Sequence, residues 1–165
     1  MDLEERITRL EDIESIRNLQ AKYQRCLDTR DFESLEACFS PDVVTSYDGG
    51  KMSFSGREET LAFLRRVMTA DMPSSHLIHG GEIDILDKES ATARWYLEDF
   101  LLHRKFLVKL HGAAVYDVRY VKTGVEWFIC SIGYSRCYQY FEFRGPVNLL
   151  TLGKTTFLDA LKRKK

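Results

Sequence analysis

A change of period limits the fold more than any other feature of this sequence. In the N-terminal stretch, Leu3, Ile7, Leu10, Ile13, Ile16, Leu19 and Tyr23 recur every three or four residues, with charged residues between them. That is the spacing of one helix face, and it predicts a long helix ending near Asp28. Asp31 is placed to cap a second, short helix running to about Phe39, which Pro41 ends. Val43 to Tyr47 reads as a strand, Asp48-Gly49-Gly50 as a hairpin turn, and Met52 with Phe54 as the returning strand. A third helix is expected from about Arg57 to Met68.

From Glu82 onward the period becomes two and stays there. Glu82 to Ile85, Ala91 to His103, Ala113 to Val121 and Trp127 to Phe143 read as strands joined by short polar segments. Helices first and a run of strands after is the order of an α+β fold. The expectation is a curved, mixed or antiparallel sheet wrapped around the N-terminal helices as a cone with one open end. Residues 1–165 should form a single domain, with about 146–165 as a C-terminal extension. Such a cone suits a small-molecule pocket.

Composition narrows the function. The net charge of -1 gives no overall pull towards nucleic acid. The basic run Lys162 to Lys165 reads as a solvated tail. No stretch approaches the roughly 20 apolar residues of a spanning helix. The acidic, amphipathic N-terminus lacks the blocks of a signal peptide. Cys26, Cys38, Cys130 and Cys137 show no metal or redox spacing, so they are expected as reduced, mostly buried thiols of a cytoplasmic protein. Neither a metal nor another cofactor is expected.

Strand alternation places Ala93, Trp95, Leu97, Asp99 and Leu101 on one face. A carboxylate in that apolar row needs a partner, either a structural cation or amide, or a catalytic group. His76, in Ser75-His76-Leu77-Ile78-His79-Gly80, should arrive at the mouth of the same row, just before the first long strand. An imidazole oriented by a carboxylate is the usual general-base arrangement; a structural histidine is the plainer alternative. Tyr23 is either core or catalytic, and Asp28 either caps the turn between helices or faces the site. Tyr134, Arg136, Tyr138 and Tyr140 share a face of the last strand by simple alternation. Arg136 there is a surface cation packed on rings or a pocket cation.

Taken together, Leu3-Glu4-Glu5-Arg6, Asp12-Ile13-Glu14, Lys22-Tyr23, Arg25-Cys26-Leu27-Asp28, Val44-Thr45-Ser46-Tyr47, Gly50-Lys51, Ala93-Arg94-Trp95-Tyr96-Leu97-Glu98-Asp99 and Gly133-Tyr134 with Arg136 resemble the SnoaL-like branch of the nuclear transport factor 2-like superfamily. Within that branch they are most similar to the bile-acid 7α-dehydratases. Scytalone dehydratases and hexachlorocyclohexane dehydrochlorinases resemble the chain more distantly. The resemblance implies a cystatin-like α+β fold and a cofactor-independent elimination of water. It carries the catalytic positions onto Tyr23, Asp28, His76 and Asp99. Trp95, Leu97, Tyr47, Tyr134 and Arg136 are the expected substrate contacts.

The expected substrate is a hydrophobic, steroid- or bile-acid-like hydroxy-enone, free or as a coenzyme A thioester. A related isomerase, dehydrohalogenase or cyclase, or a non-catalytic oxygenase small-subunit-like protein, is the alternative. Val147, Leu149, Leu150, Leu152, Phe157, Leu158 and Leu161 make the tail apolar, and a homo-oligomer is expected, a trimer before a dimer.

Overall fold

The computed structural model describes residues 1–143; the apolar tail and the extension expected from it lie outside these described residues. Helix α1 (Leu3–Thr29) opens on a capping box. Asp2 accepts from the Glu5 N–H and Glu5 accepts from the Asp2 N–H, both at 2.9 Å. The face it buries is not the apolar stripe alone. Leu3, Ile7 and Leu10 are exposed, and the buried row is Asp12, Ile16, Gln20, Tyr23, Gln24, Cys26 and Leu27.

Two of its polar members, Asp12 and Gln20, are tied to the sheet, while Gln24 accepts from Gln20 within the helix. Asp12 accepts from Lys122 Nζ at 2.6 Å and Trp127 Nε1 at 2.9 Å. Trp95 Nε1 donates to the Tyr120 hydroxyl at 3.0 Å, which donates to Gln20 Oε1 at 2.6 Å. These bonds explain how polar residues are tolerated between helix and sheet.

Helix α2 (Phe32–Glu36) is capped by Asp31, as expected, but is shorter than its pattern suggested. Strand β1 (Phe39–Tyr47) starts before Pro41 rather than after it. Proline is accommodated because β1 loses its register with its neighbour between Phe39 and Val44, so no ladder N–H is needed there. A turn at Asp48–Lys51 leads to β2 (Met52–Ser55), and α3 (Arg57–Val67) follows. The remaining chain is β3 (Ser74–Ile85), β4 (Ser90–His103), β5 (Val108–Thr123) and β6 (Glu126–Phe143). The six strands form one sheet in the order β2-β1-β6-β5-β4-β3, antiparallel except where β1 runs parallel to β6. The architecture is α+β, with a mixed sheet.

Bulges separate this sheet from a simple alternating reading. In β3 the register slips between His79 and Gly81, with Gly80 at φ 37°. His76 and Ile78 face inward before the bulge, Ile83 and Ile85 after it, so the phase breaks mid-strand. His76 therefore lies within β3, not ahead of it. In β6 an extra residue, Cys137, separates Arg136 (opposite Ala114) from Tyr138 (opposite Ala113). Tyr134 and Arg136 stay on the inner face, whereas Tyr138 and Tyr140 turn outward and are exposed. The expected four-residue face is thus split. Among the described residues no helix is long and apolar enough to cross a membrane.

Candidate active site

One end of the cone holds a cavity of about 300 Å³ between α1, α3 and the inner sheet face. Its walls are largely apolar. Phe63, Leu64 and Val67 come from α3, Leu97 and Leu101 from β4, Met52 from β2, and Met68 and Met72 from the segment between α3 and β3. Methionines give such a wall room to adapt. Tyr23, Tyr47, Tyr116 and Tyr134 form an aromatic corner, with ring centroids 5.7–6.4 Å apart for the three closest pairings. Burial pushes the Tyr23, Tyr47 and Tyr116 phenols well above their ordinary pKa, so all three keep their protons as hydrogen-bond donors. The Tyr47 hydroxyl is buried without a partner among the described residues.

The last turn of α1 and the start of β3 meet at Asp28. Its Oδ1 is 2.6 Å from His76 Nδ1 and accepts from Ser74 Oγ at 2.7 Å, while Oδ2 accepts from the His76 N–H at 2.8 Å. Burial alone would raise the Asp28 pKa, but the bonds from His76 and Ser74 outweigh it and hold the carboxyl below its ordinary range. An ionised carboxylate accepts only, so Nδ1 carries the proton. His76 lines the cavity, and with Nδ1 committed to Asp28 its Nε2 has no partner among the described residues.

His76 and Asp99 are cross-strand neighbours on β3 and β4, yet they do not pair with each other. Asp99, 2 % exposed, takes Arg136 in a two-pronged ion pair, Nη1 to Oδ1 at 2.6 Å and Nη2 to Oδ2 at 2.8 Å. Burial works against the Arg136 charge, but Asp99 outweighs it and raises the guanidinium above its ordinary pKa. The guanidinium also lies over the Tyr134 ring, 4.9 Å from its centroid. Arg136 is therefore a cavity cation rather than a surface one.

The structure thus brings Tyr23, Asp28, His76, Asp99, Leu97, Tyr47, Tyr134 and Arg136 to one end of the cone. Trp95 does not join them. It shares the inner face but packs towards the other end, bonded to Tyr120 and not lining the cavity. Ser74, Tyr116, Gln139 and the α3 wall were missed. Ser74 and Gln139 each follow from a strand that extends or changes phase where alternation alone would not place it. His79 points away from His76, because residues three apart in a strand face opposite sides, and approaches Glu98 instead. Among the described residues no group of three or more His, Cys, Asp or Glu is arranged to hold a metal ion. Burial pushes the Cys38 thiol up to about 11, which leaves it unsuited to nucleophilic work.

A family model described as a SnoaL-like domain matches residues 8–132. A scytalone dehydratase-like protein from Novosphingobium aromaticivorans superposes with a TM-score of 0.75 at 21% identity, covering 81% of this chain and 89% of that one. A hexachlorocyclohexane dehydrochlorinase from Novosphingobium barchaimii gives 0.76 at 15% identity, covering 88% and 99%. A nuclear transport factor 2-like protein with a cystatin-like fold, also from Novosphingobium aromaticivorans, gives 0.68 at 23% identity over 82% and 88%. At these identities the likeness is one of fold.

Proposed function

For a chain that belongs to the SnoaL-like domain family, with this cavity and this dyad, we propose a cofactor-independent lyase that eliminates water from a hydrophobic cyclic hydroxy-ketone or hydroxy-enone. One observation carries the reading: a histidine tethered through Nδ1 to an ionised aspartate, with its second nitrogen left free in an apolar cavity. In a dry site that nitrogen is a general base. Nε2 takes the proton on the carbon next to the carbonyl, and Asp28 stabilises the resulting imidazolium. The electron pair moves onto the carbonyl oxygen, where the Tyr23 hydroxyl donates to the developing charge. Collapse of that enolate expels the β-hydroxyl, which takes the proton back from Nε2 and leaves as water. Base and acid are the same nitrogen, and the protein ends as it began. Such acid–base help is worth about 10²–10⁴-fold.

The finer assignment is a steroid- or bile-acid-like skeleton. A cavity of about 300 Å³ lies at the lower end of the common range, roughly 300–1,000 Å³. It suits the reacting rings, with the rest of a long substrate leaving past Asp48 and Gln139. Asp99 and Arg136 form the charged wall beside the reacting position. A homo-oligomer, a trimer before a dimer, remains part of this proposal.

The test is a panel of cyclic β-hydroxy ketones, including a 7-hydroxy-3-oxo-Δ4 steroid acid and its thioester, assayed with wild type and His76→Ala. Wild type should release water and form the conjugated product, and His76→Ala should lose turnover while keeping most ligand affinity. Equal turnover by both would refute the dyad. Release of halide but not of water from matched substrates would move the assignment to dehydrohalogenation.

A further inference from the structure

Helix α1 ends on Arg30 in the left-handed region, at φ 62° and ψ 30°. The Asp31 N–H closes back on the Cys26 carbonyl at 3.0 Å and the Arg30 N–H on Leu27 at 3.3 Å. Glycine is the residue that fits such a helix end without strain. An arginine here bears a backbone cost, and its side chain does something no helix end requires.

The guanidinium spreads over three backbone carbonyls from two parts of the chain. Nη1 donates to Asp28 O at 2.7 Å, Nε to Thr69 O at 2.9 Å, and Nη2 to Met72 O at 2.5 Å. Asp28 O is one of the carbonyls left open at the end of α1. Thr69 to Met72 is the segment that leads from α3 into Ser74 and His76. The dyad is assembled from those same two parts, since among the described residues every bond that Asp28 accepts through its carboxylate comes from Ser74 or His76. The far side of the segment is held separately, by Arg104 N–H on Asp71 O at 2.9 Å and Leu102 N–H on Pro73 O at 3.0 Å.

We propose that Arg30 is a positioning residue for the dyad, its planar guanidinium fastening the end of α1 to the segment before β3 so that Asp28 and His76 stay at hydrogen-bond distance. It touches neither the cavity nor the reacting atoms. Lysine cannot replace it, because three donors on one ammonium cannot span carbonyls set around the edge of a guanidinium. Arg30 also braces Met72, a cavity wall residue, through its carbonyl. This role rests on the His76–Asp28 reading for its catalytic meaning, but not for its geometry.

Arg30→Gly separates fastening from simple helix capping. Glycine suits the left-handed helix end better than arginine does, so capping alone predicts a variant at least as stable as wild type with an unchanged dyad. Fastening predicts a folded variant in which the dyad loosens. Two substrate-free NMR readouts decide: the carbon-13 titration of the Asp28 carboxyl and the downfield proton signal of His76 Nδ1–H. In Arg30→Gly the Asp28 midpoint should rise towards the ordinary carboxylate range and the Nδ1 proton signal should broaden or vanish. Arg30→Lys, which keeps the charge, should move both in the same direction and serves alone if the glycine variant does not fold.

Wild-type signals in either folded variant would overturn the proposal. With a substrate from the panel above, kcat should fall, by up to the order of 10²-fold that misplaced groups cost, with KM little changed. If His76→Ala keeps full turnover while Arg30→Gly still perturbs both signals, the elimination reading fails and the fastening stands.

Discussion

Replacing Arg136 with methionine would leave Asp99 charged in a site where it is 2 % exposed, while keeping an unbranched side chain against the Tyr134 ring. Both carboxylate oxygens now receive a guanidinium nitrogen, at 2.6 and 2.8 Å. Arg136 itself is only 15 % exposed, so water cannot readily take over both bonds. Breaking a buried ion pair from one side costs about 3–5 kcal/mol. For a domain of this size that is a loss of roughly 6–20 °C in Tm, at about 2–4 °C per kcal/mol.

Removing the partner as well should recover most of the loss, since replacing a whole buried pair by apolar residues is often neutral or stabilising. Urea unfolding of wild type, Arg136→Met and Asp99→Leu/Arg136→Met, compared by linear extrapolation, measures this. A single variant within about 0.5 kcal/mol of wild type, the range of an ordinary surface substitution, would refute the reasoning. So would a double variant no more stable than the single one.

Two further outcomes follow from the same geometry. In Gly81→Ala the new Cβ would run into the Trp95 ring, and Trp95 is tethered to Tyr120, so the overpacking should cost about 1–3 kcal/mol in urea unfolding. The Asp28 carboxyl has its folded-state pKa held below the ordinary value of about 3.9, so its bonds add stability above that value and lose it as pH falls through the folded one. The stability gap between wild type and Asp28→Asn should therefore be level near neutrality and close on acidification below about pH 4; an equal gap at pH 7 and pH 3 would count against the network.

The α+β order was legible because its period changes between the N-terminal helices and the later strands, and period is what a helix or a buried strand imposes on a sequence. Asp99 was legible as a carboxylate in need of a partner, because its row is otherwise apolar. Which partner it takes was not, since that depends on the phase of β6. The Cys137 bulge keeps Arg136 inward while turning Tyr138 and Tyr140 out. The Gly80 bulge likewise hid the first half of β3, whose inward positions are out of step with Ile83 and Ile85. The apolar stripe of α1 misled at its start, because Leu3, Ile7 and Leu10 are exposed while Asp12 and Gln20 are buried by specific bonds. Trp95 was read as a wall of the cavity because face is legible in a strand, but position along the cone is not.

The central claim is that His76 removes a proton from carbon, and deuterium exchange at that carbon tests it most directly. A cyclic ketone without a β-hydroxyl can bind and be deprotonated but has nothing to eliminate. In D2O, wild type should exchange the hydrogen beside the carbonyl for deuterium, followed by loss of its NMR signal, and Asp28→Asn should do so more slowly. His76→Ala, with the same ketone shown bound by titration, should leave that signal at the rate of buffer alone. Exchange by His76→Ala as fast as by wild type would contradict the account.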